Sequence, residues 1–360
     1  MANIDNREEI AKIDKENVLG SVEMFSDQCE HAFEDASKVE FPDDYKKVNN
    51  VVMTGMGGSG LGARVIESVY AKDLKAPLIR VNDYNLPDFV NENSLVFCSS
   101  YSGTTEEAVE NAKQAIARKA KWAVIAKGGT LLEMARSNGV PVYQIDPKYN
   151  PSNQPRMSIG YMVVGQLVMA SKSGLFNLKK ADVDEVSGFM KEVLTGIRVE
   201  VDEENNEAKK LARLMFGKNI VFVSSEHLVG PMHVVNNQLN ENAKVFSSDF
   251  VIPELNHHLM EGLSHPKTNA EYLLMVTAMS NLYSSRIQQR YGITLDVARR
   301  NNIETFMFES KGKSKLTQAF ELIQFGAYAN LYLSVLYGQD PAPIPWVDYF
   351  KEQLGQPLGK

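Results

Sequence analysis

Ser100, Ser102, Thr104 and Thr105 crowd into one turn directly behind the apolar run Leu95-Val96-Phe97-Cys98 and ahead of the helical pattern that starts at Glu106. A dianionic phosphate offers strong acceptor oxygens, and hydroxyls joined by the N–H groups of a helix start can hold it without a lysine. A second turn of the same kind lies upstream. There Val51-Val52-Met53-Thr54 runs into Gly55-Met56-Gly57-Gly58-Ser59-Gly60 and then into Leu61-Gly62-Ala63-Arg64-Val65-Ile66. Glycine lets the backbone approach a ligand closely, and exposed N–H groups at a helix start attract anions. The two turns together point to a phosphate pocket.

Each turn also has a plainer reading. Thr104 with Glu107 fits a capping box, whose job is only to start a helix. The glycine turn with Asp83 fits a dinucleotide fingerprint and its ribose-binding acid. The hydroxyl turn favours phosphate, because a dinucleotide fold does not need another phosphate cradle behind its third strand.

Positioning the turns requires alternating strands and helices. Apolar runs at 51–54, 77–81, 95–99, 122–126 and 140–145 read as strands, and 106–119 and 130–138 as helices. This alternation predicts an α/β fold, a parallel sheet with helices on both faces and ligands beyond the carboxyl ends of its strands. Ahead of it, Ile10, Ile13, Val18, Val22 and Phe25 recur at helical spacing, so 10–33 should form one or two helices. After it come a proline-rich loop at 146–156 and an apolar helix at 159–170, too short to span a bilayer. An acidic stretch at 179–210 should hold linking helices.

A second alternation opens at 219–225, with a turn reaching Gly230, a helix at 233–244 and further elements at 245–251, 272–279 and 305–308. A helix at 316–337 is broken by Asp340-Pro341-Ala342-Pro343 before a last helix at 344–354. The second series echoes the first without its glycine cluster, as a diverged internal duplication would. The expected division is a helical segment at 1–45, a first domain at 46–170 carrying the phosphate loops, a linker at 171–215 and a second domain at 216–360.

The chain has 360 residues, 44% of them hydrophobic and 23% charged, with a formal charge of −7. That charge argues against nucleic acid as a partner and leaves an anionic substrate to local groups. Cys29 and Cys98 are too few for a disulfide framework, and the charged first sixteen residues contain no apolar leader. A cytoplasmic, reducing setting and no membrane partner are expected. The six histidines show no paired metal-ligand spacing.

Gly55-Met56-Gly57-Gly58-Ser59 together with Ser100-Tyr101-Ser102-Gly103-Thr104-Thr105-Glu106 resembles the sugar-isomerase domain, a fold that binds phosphosugars. The resemblance implies two doubly wound subdomains and puts Gly58, Ser59, Ser100, Ser102 and Thr105 at the phosphate. Three later signals narrow it: Pro155-Arg156, Asn240-Glu241-Asn242 and Pro253-Glu254-Leu255-Asn256-His257. With Lys351 they are similar to the bifunctional phosphoglucose/phosphomannose isomerases, over essentially the whole chain.

That family implies an aldose–ketose isomerase acting on glucose, fructose and mannose 6-phosphates. Glu241 would move a proton between C1 and C2 through a cis-enediol, and His257 with Lys351 would open the sugar ring. Arg156 would stabilise the enediolate. The scheme uses no metal and no cofactor, and it implies a homodimer in which His257 serves the neighbouring subunit's site. On residue type alone Glu241 is a helix-surface glutamate, His257 a structural histidine, Lys351 a charge on an amphipathic helix and Arg156 a loop arginine.

Two departures stand out: Ala342 replaces a hydroxyl residue found in many relatives, and 281–315 matches the family poorly. Other readings are a phosphosugar-binding regulator, which would need both turns but not Glu241, His257 and Lys351; a nicotinamide enzyme using Asp83; and an isomerase of another phosphosugar.

Overall fold

The computed structural model describes residues 3–355. They pack as two compact units: Met24–Ser187 with the described residues from Ile344 on, and the described residues up to Glu23 with Gly188–Pro343.

In the first unit, β1 (Asn50–Thr54), β2 (Leu78–Val81), β3 (Ser94–Ser100), β4 (Lys121–Ala126) and β5 (Val142–Gln144) form one parallel sheet in the order β2-β1-β3-β4-β5. Every residue of β3 is buried, as expected of a central strand covered on both faces. Register aligns Val52 with Val96 and Val96 with Trp122, so alternate residues share one face. That face, continued by Cys98 and Val124, packs with Ala108, Ala112 and Ala115 of the helix Glu106–Ala117 and with Leu131 and Ala135 of Gly129–Asn138. Small side chains let the helices lie close to the sheet. The strand order reverses between β1 and β3, which opens a crevice at their carboxyl ends. Both phosphate-type turns leave the sheet there.

The apolar segment at 159–170 is a buried helical run: a π-turn at Gly160–Val164 followed by the helix Gly165–Lys172. Buried Gln28, from the helix Phe25–Ala36, fixes its entry. Its amide donates to the Tyr149 carbonyl (3.1 Å) and the Met157 carbonyl (3.0 Å), and it accepts from Gly160 N (3.2 Å).

In the second unit, β6 (Asn219–Ser224), β7 (Ser247–Val251), β8 (Leu273–Met279) and β9 (Glu304–Glu309) are parallel in the order β7-β6-β8-β9. This matches the order β2-β1-β3-β4, so the repeat read in the sequence is a repeat of topology. The helix Lys315–Leu336 is buried from Leu316 on, and Ser314 caps its start by accepting from Thr317 N (3.2 Å). Lys209 is also buried, and its ammonium donates to Asp5 (2.6 Å) and to the Val199 and Val201 carbonyls (both 2.7 Å). A buried cation is tolerated only with such a full set of acceptors.

Two boundaries differ from the sequence reading. The helix expected at 233–244 begins earlier, as Val229–Gln238, with Gly230 and Pro231 in its first turn. Proline costs little there, because a first-turn N–H has no partner within the helix. The stretch 281–315, in which only 305–308 was assigned, also holds the helix Ser285–Arg300. The acidic stretch forms the helices Lys180–Ile197 and Glu207–Met215. Among the described residues no helix is long and apolar enough to cross a membrane.

Candidate functional site

At the end of β3 the hydroxyls bind one another. Ser100 Oγ lies 2.8 Å from Thr105 Oγ1 and 3.5 Å from Ser102 Oγ, and Ser102 Oγ lies 3.1 Å from Thr104 Oγ1. Buried Ser100 also accepts from Gly103 N (3.0 Å), so it shapes the turn, while Ser102 and Thr104 are exposed on its rim. Gly103 has φ +75, a conformation that suits glycine. The capping-box reading fails. The N-cap of Glu106–Ala117 is Thr105, no side chain caps the helix start, and the Thr104 hydroxyl contacts Ser102 instead. Glu106, in the first turn, accepts from the Tyr84 hydroxyl (2.9 Å).

The glycine turn is tied to the hydroxyl turn through Ser59, whose Oγ accepts from Tyr101 N (2.9 Å) and whose carbonyl accepts from buried Gln166 (2.7 Å). A Cβ on Gly58 would come within 3.3 Å of the Pro155 carbonyl oxygen and 3.4 Å of Arg156 Cα. The glycine turn and the Pro155–Met157 turn therefore fit because residue 58 has no side chain. Asp83, the ribose acid of the dinucleotide reading, is engaged in its own turn, accepting from Asn85 N (3.4 Å).

Arg156 is no surface arginine: it is 2% exposed, and its Nη1 donates to Gln154 Oε1 (3.0 Å). Proline ahead of it and the buried π-turn behind fix its backbone. The loop at 146–156 is ordered by polar contacts. Asn150 donates to Ser158 Oγ (2.6 Å) and the Gln154 carbonyl (3.1 Å), and the Tyr101 hydroxyl donates to Asn153 Oδ1 (3.2 Å).

Sequence reasoning missed Lys127. Its ammonium donates to Asn153 Oδ1 (2.8 Å), and its N–H bonds the Tyr101 carbonyl (3.0 Å), bringing a cation beside the hydroxyl turn. Its position could have shown it, since it directly follows β4 at the carboxyl edge of the sheet.

Lys351 lies exposed on the helix Pro345–Leu354, and its ammonium makes no hydrogen bond or ion pair among the described residues. The same helix exposes Trp346 (80%), Tyr349 and Phe350.

In the second unit, partly buried Glu241 lies within a π-turn, Leu239–Ala243, that follows the helix Val229–Gln238. Such one-turn insertions recur at functional positions. Asn240 Oδ1 accepts from Ser247 N (3.3 Å), which sets this turn beside the start of β7. His257, exposed, ends the 3-10 turn Glu254–His257 beyond the other end of β7. The five-residue strand between them spans about 16 Å at the usual rise per residue. Neighbouring His258 turns its ring towards Phe250.

A parallel sheet with a glycine turn and a hydroxyl turn at its crevice, followed by a second sheet of the same order, defines a sugar-isomerase-type α/β protein. The fold is shared with a solved structure: a hypothetical protein of Thermus thermophilus superposes with a TM-score of 0.73 at 15% identity, covering 97% of this chain and 94% of that one. Residues 204–354 match the family model of the bacterial phospho-glucose isomerase C-terminal SIS domain. The bifunctional phosphoglucose/phosphomannose isomerase of Aquifex aeolicus is 30% identical over 94% of this chain and 98% of its own. The protein of the same name from Caldicellulosiruptor bescii is 30% identical over 93% and 98%. The chain belongs to the family of bifunctional phosphoglucose/phosphomannose isomerases.

Proposed function

We propose that this protein is an isomerase that interconverts glucose 6-phosphate with fructose 6-phosphate, and mannose 6-phosphate with fructose 6-phosphate, by metal-free proton transfer through a cis-enediol. The observation that carries the reading is Gly58 seated against Arg156: the turn built like a phosphate cradle and the buried guanidinium share one backbone contact. A phosphate anchored by Ser59, Ser102, Thr105 and the N–H groups of Gly58 and the Glu106–Ala117 helix start leaves the sugar carbons free to reach Arg156, with Ser100 holding the turn in shape.

Arg156 then stabilises charge that develops on the enediolate oxygens. Glu241 carries the proton from C2 to C1 on one face of the enediol, and His257 with Lys351 exchanges the protons that open and close the ring. Rotation of the enediol about its C2–C3 bond before the proton returns would present the opposite face of C2 to Glu241 and so yield the other aldose epimer. The reaction as written needs no cofactor.

Glu241 and His257 lie at opposite ends of β7, which favours a site that takes His257 from a second copy of the chain. The exposed aromatic side chains around Lys351 support a homodimer, since such a patch gains by being covered. Unpaired, buried Cys29 and Cys98 suit a cytoplasmic location. The test is an assay of purified protein with fructose 6-phosphate in excess EDTA, with both aldose 6-phosphates measured as products. Formation of both supports the reading; neither forming while the phosphosugar still binds would make the protein a phosphosugar-binding regulator.

A further inference from the structure

Lys244 closes the π-turn that holds Glu241. Its backbone is left-handed, with φ +56 and ψ +32, which folds its side chain back over the helix end. There the ammonium donates to three carbonyls: Asn242 (3.0 Å), Asp340 (2.7 Å) and Pro341 (3.2 Å). Asn242 belongs to the π-turn itself and adjoins Glu241. Asp340 and Pro341 belong to the proline turn that follows the long buried helix Lys315–Leu336. This turn is already fixed, because Ala342 N donates to Asp340 Oδ1 (3.0 Å) and Ala342 is fully buried.

We infer that Lys244 is a positioning residue for Glu241, pinning the π-turn to the rigid 340–342 turn so that the carboxylate holds its reactive geometry. The inference rests on the proposed role of Glu241. A cation at a helix C-terminus offsets the partial negative charge of the free carbonyls. Here it also converts three converging carbonyls from mutual repulsion into one shared attachment. An inserted residue leaves a helix ladder locally broken, so the carboxylate it displays is only as well placed as its anchor. The left-handed backbone further indicates that position 244 serves the ammonium, since glycine or asparagine would meet the backbone requirement at less strain.

That strain supplies the experiment. Lys244→Gly removes the ammonium while easing the backbone, two opposed effects on stability, so its thermal midpoint should stay close to that of the wild type. Its kcat for fructose 6-phosphate isomerisation should fall about 100-fold, the scale of an ångström misplacement of a catalytic group, with KM within about twofold because the phosphate is gripped elsewhere. Lys244→Cys should be similarly slow and should regain most of its kcat on aminoethylation, which rebuilds the ammonium one sulfur away; Cys29 and Cys98 are buried from the reagent.

Wild-type kcat in Lys244→Gly, or a loss of kcat that comes with a lowered midpoint and is not restored by aminoethylation, would overturn the inference. Glu241→Gln, assayed alongside, separates the two claims. If it stays active, the base assignment is wrong; if it is inactive while Lys244→Gly turns over normally, only the role of Lys244 is wrong.

Discussion

Gly58 and Arg156 meet backbone to backbone: a β-carbon on residue 58 would sit 3.4 Å from Arg156 Cα. It would also sit 3.3 Å from the Pro155 carbonyl oxygen, slightly tighter than ordinary van der Waals contact. Gly58→Ala should therefore fold but push the Pro155–Met157 turn away by a few tenths of an ångström. We expect a stability loss of about 1 kcal/mol and a fall in kcat/KM of about tenfold or more. Steady-state kinetics and urea unfolding on the one variant measure both, and an unchanged kcat/KM would show that the contact is only structural.

Ser59 links the two turns by accepting from the buried Tyr101 N–H. Ser59→Ala leaves that donor without a partner, which costs about 1–3 kcal/mol. Because the same hydroxyl is assigned to the phosphate, KM should rise more than kcat falls. Equilibrium binding of inorganic phosphate should weaken in parallel.

Intersubunit sharing predicts complementation. Glu241→Gln and His257→Asn homodimers should each be nearly inactive. Unfolding them together and refolding should give half heterodimers with one intact site of two, or about one quarter of wild-type activity. Activity no greater than the sum of the two parents would mean that each site is built from one chain.

His227 gives a pH prediction. It is buried, its Nε2 lies 2.9 Å from Gln318 Oε1, and burial holds its pKa below the usual histidine value. The unfolded chain takes up the proton near pH 6.5 while the folded one resists it. Stability from this group is therefore complete above about pH 6.5 and lost as pH falls through the lower folded pKa. Urea midpoints between pH 7.5 and 5.5 should drop more for the wild type than for His227→Gln. Glu321 works in the opposite sense. Burial raises its pKa against the lowering effect of the Gly312 and Lys311 N–H groups. Its contribution is full below the unfolded carboxylate value and lost as pH rises through the raised one, so Glu321→Gln should steepen the acid loss.

The strands and both turns were legible because a parallel strand writes itself as an unbroken apolar run, and Gly55 to Gly60 and Ser100 to Thr105 are local. The burial of Arg156 was not. It depends on Gln28, 128 positions away, gripping the backbone on both sides of the Pro155–Met157 turn. The helix start at Val229 was hidden because Gly230 and Pro231 usually end helices, yet both are harmless in a first turn. Thr104 read as a cap, but the turn uses its hydroxyl laterally. Lys127 carried only a positional signal, at the carboxyl edge of β4, and Lys244 carried none, since nothing in the sequence tells which lysine meets converging carbonyl oxygens.

The most direct test of the enediol account is proton exchange. Purified protein is given fructose 6-phosphate in D2O with EDTA, and glucose and mannose 6-phosphates are followed by NMR beside the Glu241→Gln variant. The account predicts that both aldoses form with deuterium at C2 and that the variant, though still binding the phosphosugar, forms neither. Aldoses still free of deuterium at C2 after prolonged equilibration, or an active Glu241→Gln enzyme, would contradict it.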